Sequence, residues 1–340
     1  MSTQHTQRFS RRRFLHGLTL VGSVGLLGVR PRLVAAEPPP ETTKLRLGHT
    51  PGICGAPYYV AAEFLPGEGF TEVQYVELPG GSFLKATAAS EIDFGVNFIG
   101  PSLTRLDAGD PLVLLSGVHV GCFELFASEQ VRAIRDLQGK TVALAFGLGG
   151  PEHIFIASIL AYVGLDPRKE VHWVVHPFDA STQLFAEGKI DAVAAMPPQS
   201  QALRARHIGH VLVNSTVDRP WSQYYCCMVY THKAFVQQYP VATKRVLRAI
   251  LKAADVCTSE PERVARFLVD KGHTQTYDYA RETMQDVVYR QWREYDPEDT
   301  VRFYALRLQE AGMIKSSPQK LIAQGTDWRF FNELKKELKG

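Results

Sequence analysis

From residue 44 onward, short apolar runs rich in β-branched residues alternate with longer amphipathic stretches. The runs predict strands over 45–49, 73–77 and 93–96, and the amphipathic stretches between them predict helices over 57–65 and 83–90. A second series starts with a strand over 141–145. It continues through a helix over 151–163, a strand over 171–175, a helix over 181–187, a strand over 191–194 and a helix over 198–204. Strands that alternate with helices imply a mostly parallel sheet covered on both faces, so two series imply an α/β protein of two lobes.

Between and after these series lie extended runs over 112–118, 124–127 and 223–230 with no helix among them. They are expected to cross between the lobes as a two-stranded hinge. The first lobe is then 44–125 together with 223–340, and the second lobe, 126–222, is inserted. Beyond His232 the pattern is helical, over 240–257, 261–271, 277–289, 297–311 and 328–338, with prolines at helix starts, where a missing N–H costs nothing. Gly312 is a plausible C-cap. No solenoid repeat or low-complexity tract is present.

The first 36 residues change the picture of the compartment. Ser10, Arg11, Arg12, Arg13, Phe14 and Leu15 precede an apolar stretch over 18–29 that is too short to cross about 30 Å of hydrocarbon, and Val34, Ala35 and Ala36 offer a cleavage site. This is expected to be a signal peptide removed near Ala36, followed by a proline-rich leader over 37–43. The S-R-R-x-F-L setting is similar to a twin-arginine signal, the address of a route for folded proteins, although an arginine-rich ordinary export signal fits too. Either route gives a periplasmic protein.

Removing residues 1–36 takes away six arginines and no acids, leaving 32 basic side chains against 35 acidic ones. The mature chain is slightly acidic and has no support for a nucleic-acid partner. Its apolar content of 45%, with no later long apolar run, suits a water-soluble globule that meets a membrane only through a partner. Five cysteines (Cys54, Cys122, Cys226, Cys227, Cys257) are too few and scattered for a disulfide framework.

Loops that leave the carboxyl ends of strands form the ligand crevice of open α/β sheets. Four such loops here carry Gly or Pro before a helix: 49–57, 97–101, 146–151 and 195–199. Each could merely punctuate a turn. Together they predict a polar cleft between facing helix starts, whose N–H groups are unpaired.

Residues 45–51 with 56–61, Glu91-Ile-Asp-Phe-Gly95, Asp136-Leu-Gln-Gly-Lys-Thr-Val-Ala143 and Glu187-Gly-Lys-Ile-Asp-Ala-Val193 carry a resemblance over nearly the whole mature chain. The sequence resembles the periplasmic solute-binding proteins of ABC importers of the nitrate, sulfonate, taurine and thiamine-pyrimidine type. The resemblance implies a type II-like periplasmic binding protein fold that closes on a small-molecule solute and passes it to an ABC permease in the inner membrane. A monomer is expected, with no resident cofactor, no metal and no catalysis.

Carried over residue by residue, the family's ligand loops place Pro51, Cys54, Tyr58, Asn97, Gly149, Gly150, His153, Met196 and Gln199 around the solute, with Tyr224 and Tyr225 near the hinge. The tyrosines could equally pack in the core. The third loop departs from the anion-binding pattern by offering Glu152 where small hydroxyl residues are usual. Glu152 is either a structural cap or an acceptor for an amine-bearing ligand, and both readings weaken the case for a sulfonate. A nitrogen-containing, pyrimidine-like solute is the expectation.

Three alternatives compete. Cys54, Cys122, Cys226, Cys227, His49, His119 and His153 fall in or near the inferred cleft and hinge, which would suit a metal or haem. None of these shows a CxxC, CxxCH or HxxxH spacing, and neighbouring cysteines on a regular strand point to opposite faces. Fungal thiamine-pyrimidine synthases share the fold, but no triad or paired carboxylate stands out here. A ligand-sensing domain feeding a receptor would differ only in its partner.

Overall fold

The computed structural model describes residues 37–49, 52–78 and 82–339, so the expected signal peptide and Pro51 lie outside the described residues. The strands are β1 (Lys44–Gly48), β2 (Glu72–Val76), β3 (Phe94–Phe98), β4 (Leu112–Val120), β5 (Glu124–Ala127), β6 (Thr141–Leu144), β7 (His172–Val175), β8 (Ala192–Ala195), β9 (His210–Asn214) and β10 (Tyr225–His232). The helices of the two alternating series are α1 (Ala56–Val60), α2 (Phe83–Ala88), α3 (Ile99–Asp107), α4 (Pro151–Tyr162), α5 (Phe178–Ala186) and α6 (Gln199–Ala205). The remainder of the chain forms α7 (Lys233–Gln238), α8 (Pro240–Ser259), α9 (Pro261–Asp270), α10 (Tyr277–Asp286), α11 (Pro297–Glu310), α12 (Pro318–Gly325) and α13 (Arg329–Glu337).

Two five-stranded sheets share one plan. The first has the order β2-β1-β3-β10-β4 and the second β7-β6-β8-β5-β9. In the first, β1 runs parallel to β2 and β3, while β10 is antiparallel to β3 and β4. In the second, β6 runs parallel to β7 and β8, while β5 is antiparallel to β8 and β9. The reversed strand of each sheet is the one the chain reaches after crossing from the other lobe. These are the two mostly parallel, helix-flanked lobes of the periplasmic binding protein fold, with a helical C-terminal region.

Coverage dictates composition in these strands, β10 inside the first sheet and β4 at its edge. Every residue of β4 and all of β10 except His232 are buried, and both strands read as nearly unbroken apolar runs, as strands covered on both faces must. Gly117 of β4 is required by its neighbour: a Cβ there would meet the Tyr225 ring at 2.3 Å.

The two crossings, 121–123 and 215–224, pack against each other. Ser215 Oγ accepts from the N–H groups of Cys122 (3.1 Å) and Phe123 (2.9 Å). Gly121 has φ +60°, and a Cβ there would lie 2.4 Å from Thr216 Cα. The main core continues through both lobes at this level, with Phe123 stacked on Phe155 (4.9 Å) and edge-on to Phe98 (5.2 Å).

The C-terminal helices cover the first lobe and reach the second. Arg204 of α6 bonds Glu124 of β5 (3.0 Å) and Asp286 of α10, a salt-linked bridge between the second lobe and the C-terminal helices. Tyr224 in the second crossing stacks on Phe303 of α11 (4.1 Å). The sequence pattern passed over β9, α7 and α12. In α12, Ser317 accepts from the Lys320 N–H and Pro318 occupies the first turn, so capping defines a helix whose apolar face is only two turns long. Among the described residues, no helix is long and apolar enough to cross a membrane.

Candidate functional site

A cavity of about 270 Å³ opens where the strand-end loops of the two lobes face each other. The first lobe contributes Gly52, Cys54, Ser82, Phe83 and Asn97, and the second contributes Phe146, Gly149, Gly150 and Met196. Cys122 and Phe123 of the first crossing, with Cys227 of β10, form its floor. The lobes touch at one edge, where the Ile53 N–H donates to the Pro197 carbonyl across the cleft (3.4 Å).

Local backbone requirements explain several positions. Asn97, next to last in β3, lines the cavity, and its Oδ1 accepts from the Phe98 N–H (2.7 Å). Gly149 has φ +79°, a left-handed conformation that favours glycine, and its N–H donates to His153 Nδ1 (3.0 Å). The His153 ring sits edge-on to Trp173 (4.7 Å), and burial lowers its pKa.

Of the residues expected around a solute, Cys54, Asn97, Gly149, Gly150 and Met196 do line the cavity. Tyr58 is fully buried, and its hydroxyl donates to the Phe94 carbonyl (2.7 Å). Tyr225 is likewise a core residue, bonded to the carbonyls of Gln291 and Tyr295 (3.2 Å each), and Tyr224 is engaged with Phe303. Glu152 is buried and accepts from the N–H groups of Ala145 and Phe146 (3.0 Å each), so it closes the end of β6 and does not line the cavity. Burial pushes its carboxyl up to about 7, against the pull of those two N–H groups. Gln199 and His153 are not among the described lining residues.

The aromatic wall is therefore built of phenylalanines. Phe83, Phe98, Phe123 and Phe146 supply it, and no Asp, Glu, Lys, Arg or His is among the described lining residues. Phe123 carried no sequence signal, because it lies in a crossing whose path is set only by both sheets.

The floor also carries chemistry. The donor atoms of Cys54, His119, Cys122 and Cys227, all buried, lie within 4.8 Å of one another. Cys122 and Cys226 are in contact through their sulfurs (3.2 Å). Irregular pairing of β10 with β4 around Cys227 departs from the regular pleat, so the thiols of both neighbouring cysteines interact with Cys122. The opposite-face expectation for this pair fails for that reason. Hydrogen bonds from the Cys122, Cys226 and Cys54 thiols hold Cys227 well below the ordinary thiol range. Burial alone would keep His119 neutral, but the charge of Cys227 raises its pKa well above the usual value.

Solved structures share this architecture. The periplasmic nitrate-binding protein NrtA from Synechocystis PCC 6803 superposes with a TM-score of 0.71 at 16% identity, over 89% of this chain and 90% of that one. The alkanesulfonate-binding protein SsuA from Xanthomonas axonopodis pv. citri, bound to MOPS, gives 0.63 at 19% identity, over 86% of this chain and all of that one. The periplasmic aliphatic sulphonate binding protein SsuA from Escherichia coli gives 0.63 at 19% identity, over 80% and 86%. No curated relative matches the chain in sequence. The family model described as NMT1/THI5 like matches residues 55–264, well over half of the chain, and its span runs from the first cleft loop through both crossings into the C-terminal helices. The chain belongs to the NMT1/THI5-like family.

Proposed function

We propose that the chain is the extracytoplasmic solute-binding component of an ABC import system, taking up a small uncharged organic solute between its lobes and handing it to a permease. The observation that carries this reading is the two-sided cavity: Asn97 and Phe83 face it from one lobe, Phe146 and Met196 from the other. A solute touching both lobes favours the closed form over the open one, which is how a binding protein signals occupancy to a partner. Its volume sits at the small end of ligand pockets. Flat apolar walls with one amide and one hydroxyl suit a planar, nitrogen-containing ring better than a sulfonate, whose charge would find no cationic side chain among the described lining residues. The NrtA and SsuA neighbours lend the import reading their support, as proteins that bind solutes in the same fold.

The test is native against denaturing mass spectrometry of the protein isolated from the exported fraction. A released organic mass is expected, and it supplies the ligand for titration. Replacing Asn97 and Met196 together by alanine should weaken its binding at least about tenfold, the loss of one buried hydrogen bond and one apolar contact. Unchanged affinity in that variant would place the solute elsewhere.

A further inference from the structure

We infer that Cys54, His119, Cys122 and Cys227 form a binding site for one thiophilic d10 cation, Zn²⁺ or Cu⁺, in the floor of the interlobe cavity. The four donors come from four segments: the loop after β1, the end of β4, the first crossing and β10. Their mutual distances of up to 4.8 Å exceed those of a tetrahedral site, in which metal–sulfur bonds of about 2.3 Å and a metal–nitrogen bond of about 2.0 Å set donors roughly 3.3–3.8 Å apart. Inward rotation of side chains by about 1 Å closes that gap.

His119 is prepared for the role. Its Nδ1 bonds the Gly121 carbonyl (2.8 Å), so this nitrogen keeps its proton and Nε2 is the atom that gives up a proton to bind a metal. The residue is fully buried, and Nε2 has no hydrogen-bond partner. A buried, unpartnered ring nitrogen whose other nitrogen is fixed by a backbone carbonyl is the outer-shell arrangement that orients metal-binding histidines. Access exists as well, because Cys54, Cys122 and Cys227 line the cavity while His119 stands behind them. With three sulfurs, one imidazole and no carboxylate, the set selects soft or borderline ions over calcium and magnesium.

This site stands on the side-chain cluster and not on the import reading. A protein that retains an organic solute but binds no cation would defeat this inference alone, and the converse result would defeat only the other.

The experiment titrates the exported protein, reduced and stripped by chelator under anaerobic conditions, with Zn²⁺ and separately with Cu⁺, each against a chromophoric competitor. One equivalent of at least one ion is expected, and the stronger arm names the ion. Cys227→Ser and His119→Ala should each lower its affinity about 100-fold or more, whereas Cys257→Ser, in α8 and outside the cluster, should not. X-ray absorption at the edge of the bound ion provides a readout that misfolding of a variant does not touch: a shell of three sulfurs and one nitrogen is expected. An oxygen-dominated shell, binding of neither ion by the unaltered protein, or a Cys122–Cys226 disulfide in the exported protein as isolated would each overturn the inference.

Discussion

Glu152 shows how one side chain ties the third cleft loop to its strand. Its carboxylate turns back from the first turn of α4 onto the Ala145 and Phe146 N–H groups, in a buried setting that pushes its pKa up to about 7. The folded protein therefore holds this proton more tightly than the unfolded chain, whose glutamate titrates near 4.5. Its contribution is full below about pH 4.5 and is lost as pH rises through about 7. Denaturant unfolding of Glu152→Gln against the unaltered protein should show a pH dependence between those values flattened by at most about 3 kcal/mol. Sequence reasoning found this position because a carboxylate at a helix start is visible in the chain, and it left cap and ligand acceptor open. Only the fold shows the oxygen facing the backbone. Tyr58 was less legible: an aromatic residue on an amphipathic helix reads alike whether it faces a cleft or the core, and here the Phe94 carbonyl holds it inside.

At the scale of elements, alternation of strand and helix located both sheets, and proline at helix starts located α8, α9 and α11. What periodicity could not show was irregular pairing. The shifts in β10 at Cys227, Met228 and Tyr230 depend on which residues of β4 lie opposite, and no local pattern encodes a partner more than a hundred residues away. That is also why the cysteine cluster escaped spacing rules, which see only ligands close in sequence. The crossings are equally specific in backbone. Gly121→Ala should destabilise the protein by about 2–4 kcal/mol in denaturant unfolding, since it adds both a strained φ and a clash with the Thr216 backbone. A loss under about 0.5 kcal/mol would mean that the crossings move apart freely.

At the scale of the whole molecule, the second lobe is tied to the C-terminal helices by contacts that need no solute. Arg204 joins Glu124 and Asp286, and burial pushes the Glu124 carboxyl up to about 7 despite the nearby guanidinium. Arg204→Ala should release α6 from α10 and favour the open form. Small-angle scattering of the solute-free variant is expected to give a larger radius of gyration than the unaltered protein, and solute affinity should fall, because closure must then be driven by the solute alone. Equal radii would show that the bridge does not bias the lobes.

The two crossings define a fulcrum. In any rotation about a fulcrum, displacement grows with distance from it, so if the lobes close as proposed, Met196 and Phe146 on the cleft loops would travel farther than Cys122, on the first crossing, and Cys227, on the paired stretch of β10 beside it. A molecule gripped at the rim feels the jaws close; an ion lodged at the pivot would keep the same bond lengths whether they stand open or shut.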